Sequence, residues 1–139
     1  MADIPAGFTE MRPYGAFHDL TGPFYHAKRG DNIVVGMRVD DRHGNAIGTL
    51  HGGMFMTLVD TALTLAAGRA APKGQYAITQ GLNADFLSPA REGDWVEAEV
   101  EVLRAGRSSI ALDCRVRKDG EAGKLLMRAS GSFHVVAPK

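Results

Sequence analysis

One acidic side chain, Asp60, lies in the middle of an otherwise apolar stretch of the chain. The stretch runs from His51 to Gly68 and reads HGGMFMTLVDTALTLAAG, with Asp60 as its single group that is charged at neutral pH. A helix that is apolar on every side is normally buried, and an isolated carboxylate there is disfavoured or acquires a raised pKa. Asp60 is therefore the first residue to suspect of chemistry. The alternative is a structural carboxylate held by backbone N–H groups or by a distant arginine.

Hydrophobic periodicity predicts the elements that would position Asp60. Alternation predicts a first strand at residues 33–39, and a polar, glycine-containing loop then leads to His51. Four later segments alternate as half-buried strands do, at residues 76–86, 96–102, 110–117 and 125–135. The short turns AGR and KDGEAG predict antiparallel hairpins. The first 30 residues are expected to be irregular or partly helical, since they contain several glycines together with Pro5, Pro13 and Pro23.

Two finer expectations concern the faces and the register of these strands. In the strand at 76–86, Thr79 has the opposite parity to a set of apolar residues, which comprises Tyr76, Ile78, Leu82, Ala84 and Phe86. A three-residue loop at 105–107 would place Glu97 opposite Arg115. The register shifted by two residues would place Glu97 opposite Asp113, and like charges directly opposite are unfavourable. We therefore expect the first register.

Length and composition limit the class of protein. A chain of 139 residues fits a single domain, 1–139, that can bury a core. Lysine plus arginine equals aspartate plus glutamate at 16 each, so general electrostatic binding to nucleic acid or to an anionic membrane is not expected. The first seven residues lack the basic start and apolar run of a signal peptide, and the single Cys114 suits a reducing compartment. We expect a cytoplasmic protein.

The order of elements predicts an α+β fold. One strand, one long helix and four antiparallel strands follow each other along the chain. A helix that is apolar on every side needs the sheet to wrap round it, and a remaining face is then expected to lie against another subunit. Cys114 has the parity of a small core residue rather than that of a nucleophile.

The segment NAIGTLHGGMFMTLVDTA carries a family resemblance. With Asn45, His51, Gly52, Gly53 and Asp60 at these spacings, it closely resembles the hotdog-fold acyl-CoA thioesterases of the phenylacetate-pathway (PaaI-like) and human THEM-like branch. The later segment LNADFLSPAREGDWVEAEV is similar to the second and third strands of that branch. The resemblance covers about residues 32–136. It implies a five-stranded antiparallel sheet wrapped round one long central helix.

The resemblance also implies roles for particular residues. Gly52 would donate its backbone N–H to the thioester carbonyl oxygen, and Asp60 would act as general base or nucleophile. Thr79 would position the attacking water. Asn45 and His51 would orient the thioester or the loop around it, although His51 is equally interpreted as a residue that starts the helix through a backbone contact.

The implied substrate is a small aryl- or medium-chain acyl-CoA, with coenzyme A as part of the substrate and no separate cofactor. Arg91, Arg104 and Arg107 flank strand ends where the family often holds the phosphates of coenzyme A. Gly53 and Met54 would contact the substrate. The plainer interpretations are solvated surface arginines and an ordinary core methionine. No metal site is predicted, because there is no pair at ligand spacing among His18, His26, His43, His51 and His134.

The spacing of Gly52 and Asp60 predicts how the chain assembles. The two residues are eight positions apart on one helix, which at about 1.5 Å per residue is roughly 12 Å along the axis. They cannot reach one carbonyl from the same chain. The site would therefore combine Gly52, His51 and Asn45 of one subunit with Asp60 and Thr79 of the partner subunit. The resemblance likewise implies a homodimer, with dimers pairing into a homotetramer.

Two other functions remain as alternatives. One is a hotdog hydratase or dehydratase acting on acyl-CoA, in which a histidine and an acid are arranged differently from the His-Gly-Gly and Asp of this chain. The other is a non-catalytic acyl-CoA sensor on the same fold. The first 30 residues show no convincing helix-turn-helix pattern, and a pure binder has no need of a carboxylate at the carbonyl.

Overall fold

A computed structural model describes residues 3–12 and 14–138, so Pro13 of the lead-in lies outside the described residues. The elements in chain order are β1 (Thr9–Glu10), α1 (Ala16–Thr21), β2 (Tyr25–Arg29), β3 (Asn32–Arg38), α2 (Gly52–Ala70), β4 (Tyr76–Phe86), β5 (Trp95–Ala105), β6 (Ser109–Lys118) and β7 (Leu125–Val136). The strands form one antiparallel sheet in the order β1-β2-β3-β5-β6-β7-β4. Within the described residues, no helix is long and apolar enough to cross a membrane.

The central helix and the five predicted strands are confirmed, and the sheet has two more strands than expected. The lead-in contains the short helix α1, as expected, but it also adds β1 and β2 to the sheet edge. β2 forms a hairpin with β3 through Gly30, whose φ of 63° requires a left-handed turn, and Asp31. The sequence YHAKR of β2 lacks an apolar alternation because its side chains are only partly buried.

The helix α2 packs along the concave face of the sheet, against strands β3 to β7. Its buried side chains include Phe55, Leu58, Ala62 and Leu63. The expectation of a helix apolar on every side is wrong, because one stripe of α2 lies outside this core. The stripe consists of residues 53, 57, 60, 64 and 68, which recur at helical spacing as glycines, threonines and Asp60.

A β-bulge in β4 reverses the faces of half of that strand. The pairing with β7 shifts between Thr79 and Gly81, so Thr79 lies opposite buried Phe133 and Leu82 lies opposite buried Gly131. Thr79 therefore shares the helix-facing side with Leu82, contrary to the predicted parity. Because one extra residue exchanges the two faces of a strand, the residues before the bulge change sides. Ile78 accordingly points away from the helix and is 51% exposed.

The register of β5 and β6 also differs from the prediction. Glu97 lies opposite Arg117 instead of Arg115, and a bulge between Val102 and Arg104 accompanies the shift. Arg29 of β2 also contacts this region, from the far side of β3. Its guanidinium contacts Glu97 Oε1 at 2.7 Å and Glu99 Oε1 at 2.8 Å. The observed register places two acid–base pairs opposite each other, Glu97 with Arg117 and Glu99 with Arg115.

Candidate active site

Asp60 and Thr79 are in direct contact. The Thr79 hydroxyl donates a hydrogen bond to Asp60 Oδ1 at 2.8 Å, and this bond joins the middle of α2 to β4. The bulge after Thr79 makes the contact possible, because without it the Thr79 side chain would alternate with Leu82 to the other face. The hydroxyl holds one carboxylate oxygen in place.

Asp60 is not buried in apolar surroundings within the single chain. It is partly exposed on the stripe of α2 that the sheet leaves uncovered. Its polar neighbour is Thr79, which is nineteen residues away along the chain. Among the described residues, Asp60 Oδ2 has no hydrogen-bond partner.

The start of α2 presents one free backbone donor. His51 is the N-cap, and its Nδ1 accepts a hydrogen bond from the Gly53 N–H at 2.8 Å. The His51 carbonyl accepts from the N–H groups of Met54 and Phe55. In the part of the chain that the structure describes, the Gly52 N–H has no acceptor, as is usual for the first N–H groups of a helix. This N–H lies at the positive end of the helix dipole and can hold a developing oxyanion.

The loop before His51 is ordered by Asn45. The Asn45 Oδ1 accepts from the N–H groups of Ile47 and Thr49, at 3.1 and 3.0 Å, and its Nδ2 donates to Thr49 Oγ1 at 2.7 Å. These contacts occupy the Asn45 amide within its own loop. The loop is joined to the segment that precedes β5 by a bridge between Thr49 and Arg91. Of the two roles expected for Asn45, the contacts favour orientation of the loop.

Comparison with known proteins places this arrangement in a family. The sequence pattern of the thioesterase superfamily matches residues 47–123, more than half of the chain. The chain belongs to the thioesterase superfamily. The matched region of this superfamily member includes the helix start, Asp60 and Thr79.

Relatives of this thioesterase-superfamily chain include bacterial and human proteins. A Pseudomonas aeruginosa protein named as an esterase is 35% identical over 136 residues, which cover 97% of this chain and 99% of that protein. Human acyl-coenzyme A thioesterase 13 is 31% identical over 103 residues, 74% of this chain and 72% of that one. The E. coli PaaI protein from the phenylacetic acid degradation operon has the same fold, with a TM-score of 0.79 at 24% identity over 91% of this chain and 88% of that chain. The predicted hotdog fold and thioesterase family are confirmed.

The three arginines expected at the phosphates do not lie together in this thioesterase-superfamily chain. Arg91 precedes β5, beside the loop that carries Asn45. Arg104 is near the far end of β5 and Arg107 is in the following turn. Because Trp95 and Arg104 are nine residues apart along a strand, this separation is roughly 30 Å at about 3.3 Å per residue. Arg91 and Arg104 of one chain therefore cannot bind the same phosphate.

The remaining candidates have mainly structural contacts. Gly53 uses its N–H on His51, and Met54 is buried in the core, where it also lines a cavity of about 240 Å³ beside His51. Cys114 is 2% exposed, as predicted for a core residue, and burial raises the pKa of its thiol to about 12. Residues 3–12 and 14–138 contain no group of three or more His, Cys, Asp or Glu side chains that could hold a metal ion.

Sequence analysis missed Phe86 as a neighbour of the helix start. A Cβ placed on Gly52 would lie 3.8 Å from the Phe86 ring, and this ring packs edge-on against Phe55 with centroids 5.8 Å apart. The sequence places Phe86 at the end of a strand but carries no signal that this end meets residue 52.

Proposed function

We propose that this chain is an acyl-CoA thioesterase that hydrolyses a small aryl- or medium-chain acyl-CoA to the free acid and coenzyme A. The observation that carries the proposal is the 2.8 Å hydrogen bond from Thr79 to Asp60, which holds a carboxylate on the uncovered stripe of α2. The free Gly52 N–H supplies the second element that thioester hydrolysis needs, a donor for the carbonyl oxygen. The kinship with human acyl-coenzyme A thioesterase 13 supports the choice of substrate class.

In the proposed reaction, Asp60 takes a proton from a water molecule whose oxygen attacks the thioester carbon. The carbonyl oxygen becomes an oxyanion and accepts a hydrogen bond from the Gly52 N–H. The carbon–sulfur bond then breaks, the sulfur leaves as the thiolate of coenzyme A, and the proton on Asp60 returns to the products. A covalent route, in which Asp60 itself attacks and water then hydrolyses the anhydride, uses the same groups. In either route Thr79 keeps Oδ1 fixed and leaves Oδ2 for the chemistry.

The proposed site needs two chains, and β4 offers the surface that would join them. β4 lies at the end of the sheet, so one of its edges is unpaired in the part of the chain that the structure describes. It is 11 residues long and contains neither lysine nor proline, which commonly protect such edges. Two copies that pair along β4 about a two-fold axis would continue the sheet and set their α2 helices antiparallel. The Gly52 end of one helix would then approach the partner's Asp60.

In this assembly Arg91 is the residue that we assign to the phosphates of coenzyme A, because it borders the loop that leads to Gly52. Arg104 and Arg107 could contact the same coenzyme A only from another chain. A pairing of dimers into a tetramer and a cytoplasmic location remain part of the proposal. A single, buried cysteine suits a reducing compartment.

Thiol release from a panel of acyl-CoAs tests the proposed function. The purified protein is incubated with acetyl-, hexanoyl- and phenylacetyl-CoA, and the free coenzyme A thiol is followed with a chromogenic thiol reagent. We expect Asp60→Asn to lose about two or more orders of magnitude in kcat. Asp85→Asn is the matched control, since this exposed carboxylate pairs with Arg128 on the outer face of the sheet.

The same panel, extended by a 2-enoyl-CoA, separates the alternatives. A hydratase would consume a 2-enoyl-CoA without releasing thiol, and a sensor would bind acyl-CoA without changing it. Either result contradicts the proposal, as does wild-type activity in a folded Asp60→Asn protein.

A further inference from the structure

The Phe86 ring lies against the helix start without being part of the closed core. Phe86 is 52% exposed, although its ring packs against Phe55, which is 4% exposed. The two rings meet edge to face, with an interplanar angle of 72°, a favoured geometry for an aromatic pair. The ring is therefore fixed in position while about half of its surface is open.

Further apolar side chains lie on β4 and α2. Leu82 and Ala84 share the helix-facing side of β4 with Phe86, and Met56 lies on α2 between Gly52 and Asp60. Leu82, Ala84 and Met56 are partly buried against the core. A molecule whose carbonyl is held at Gly52 therefore meets apolar side chains next to the helix start.

We propose that Phe86 is a specificity-determining residue, whose ring contacts the acyl group of the substrate and favours aryl and longer apolar groups over acetyl. The inference rests on the proposed function, and in particular on Gly52 as the oxyanion donor. A carbonyl oxygen bound at the Gly52 N–H lies about 3 Å from that nitrogen. Because the ring is 3.8 Å from the Cβ position of Gly52, it lies beside the helix start, within reach of a group bonded to the carbonyl carbon.

Substitution of Phe86 tests this assignment through the ratio of activities on different acyl-CoAs rather than through the activity on any one of them. For Phe86→Ala, we expect the preference for phenylacetyl-CoA and hexanoyl-CoA over acetyl-CoA, measured as a ratio of kcat/KM values, to fall about tenfold or more. Phe86→Leu should keep most of the hexanoyl preference and lose the phenylacetyl preference, because it retains apolar volume without an aromatic ring. Ile78→Ala is the matched control: Ile78 is on the same strand and equally exposed, but faces away from the helix.

Affinities for non-hydrolysable ketone analogues of the three acyl-CoAs, measured by titration calorimetry, provide a readout that does not need turnover. The ratio of their dissociation constants should change in the same direction, while the oligomeric state by gel filtration should match that of the wild type. An unchanged ratio overturns the inference. So does an equal loss for all three acyl groups, which would place the ring on the coenzyme A arm. A fully active Asp60→Asn protein would instead refute the proposed function and leave the affinity ratio as a separate test of Phe86.

Discussion

Thr79 reaches Asp60 across nineteen residues of sequence, and the hydroxyl-to-carboxylate distance is 2.8 Å. The contact joins the uncovered stripe of the central helix to the edge strand β4. Both groups belong to one chain, in which Thr79 is exposed and Asp60 is partly exposed.

The Thr79 hydroxyl is expected to matter for turnover more than for stability. Thr79→Val removes the donor to Asp60 while keeping a β-branched side chain, and we expect kcat to fall about ten- to a hundredfold, as for loss of a hydrogen bond to a charged group. Thr79→Ser keeps the hydroxyl and should retain most of the activity. Steady-state kinetics and thermal unfolding of both variants check this. Equal activities in the two variants would contradict a role for the hydroxyl.

The Gly52 N–H can be removed without disturbing the helix. Proline is favoured at the first helical position and lacks an N–H, and His51 already has the extended conformation, φ −61° and ψ 136°, that a following proline requires. We expect Gly52→Pro to fold and to lose about 100-fold or more in kcat. Gly52→Ala, which keeps the N–H, is the control. Substantial activity in a folded Gly52→Pro protein would exclude this N–H as the oxyanion donor.

Sharing of the site between subunits predicts complementation. A dimer of one Gly52→Pro chain and one Asp60→Asn chain contains one complete site, so refolding the two inactive proteins together should restore about a quarter of wild-type activity. Each variant refolded alone should stay inactive. If both groups acted from the same chain, the mixed dimer would contain no complete site and the mixture would remain inactive.

Glu99 predicts a loss of stability in acid. Burial opposes its ionisation, but hydrogen bonds from Asn32 and Arg29 outweigh this effect and hold the pKa of Glu99 below its usual value. The stability that ionised Glu99 contributes to the fold is therefore fully present above the unfolded-state pKa, about 4.3. This contribution is lost as the pH falls through the lower folded-state pKa.

Urea unfolding between pH 7 and pH 3 tests the prediction for Glu99. The difference in free energy of unfolding between wild type and Glu99→Gln should shrink as the solution is acidified. Glu101→Gln is the control on the same strand. Glu101 lies opposite Asp113, whereas Glu99 lies opposite Arg115, so the control removes a carboxylate that has no base directly opposite it on β6. A wild-type-to-Glu99→Gln difference that stays constant with pH would be inconsistent with the lowered pKa.

Cys114 is expected to be unreactive in the folded protein. Its thiol is 2% exposed and burial raises its pKa to about 12, so the reactive thiolate is scarce at neutral pH. A thiol reagent should therefore label the native protein only at the rate at which the protein opens, and at once in denaturant. Rapid labelling of the folded protein would contradict this burial.

The sequence alone determined the central helix, the five principal strands and the candidate Asp60. These features follow from local periodicity and from a charge in an apolar stretch, and both can be read along the chain. The register of β5 and β6 could not be read in this way, because it includes a bulge between Val102 and Arg104 that alternation along one strand does not reveal.

The arrangement of the candidate site was decided by the tertiary structure. Thr79 faces Asp60 because one extra residue in β4 exchanges the two faces of the strand, and a bulge is set by pairing with β7 rather than by the residues around it. In the same way, Phe86 meets Gly52 because β4 runs back along α2, from Thr79 beside Asp60 to Phe86 beside Gly52. Composition and spacing determine which groups are available, whereas contacts between distant segments decide which of them meet.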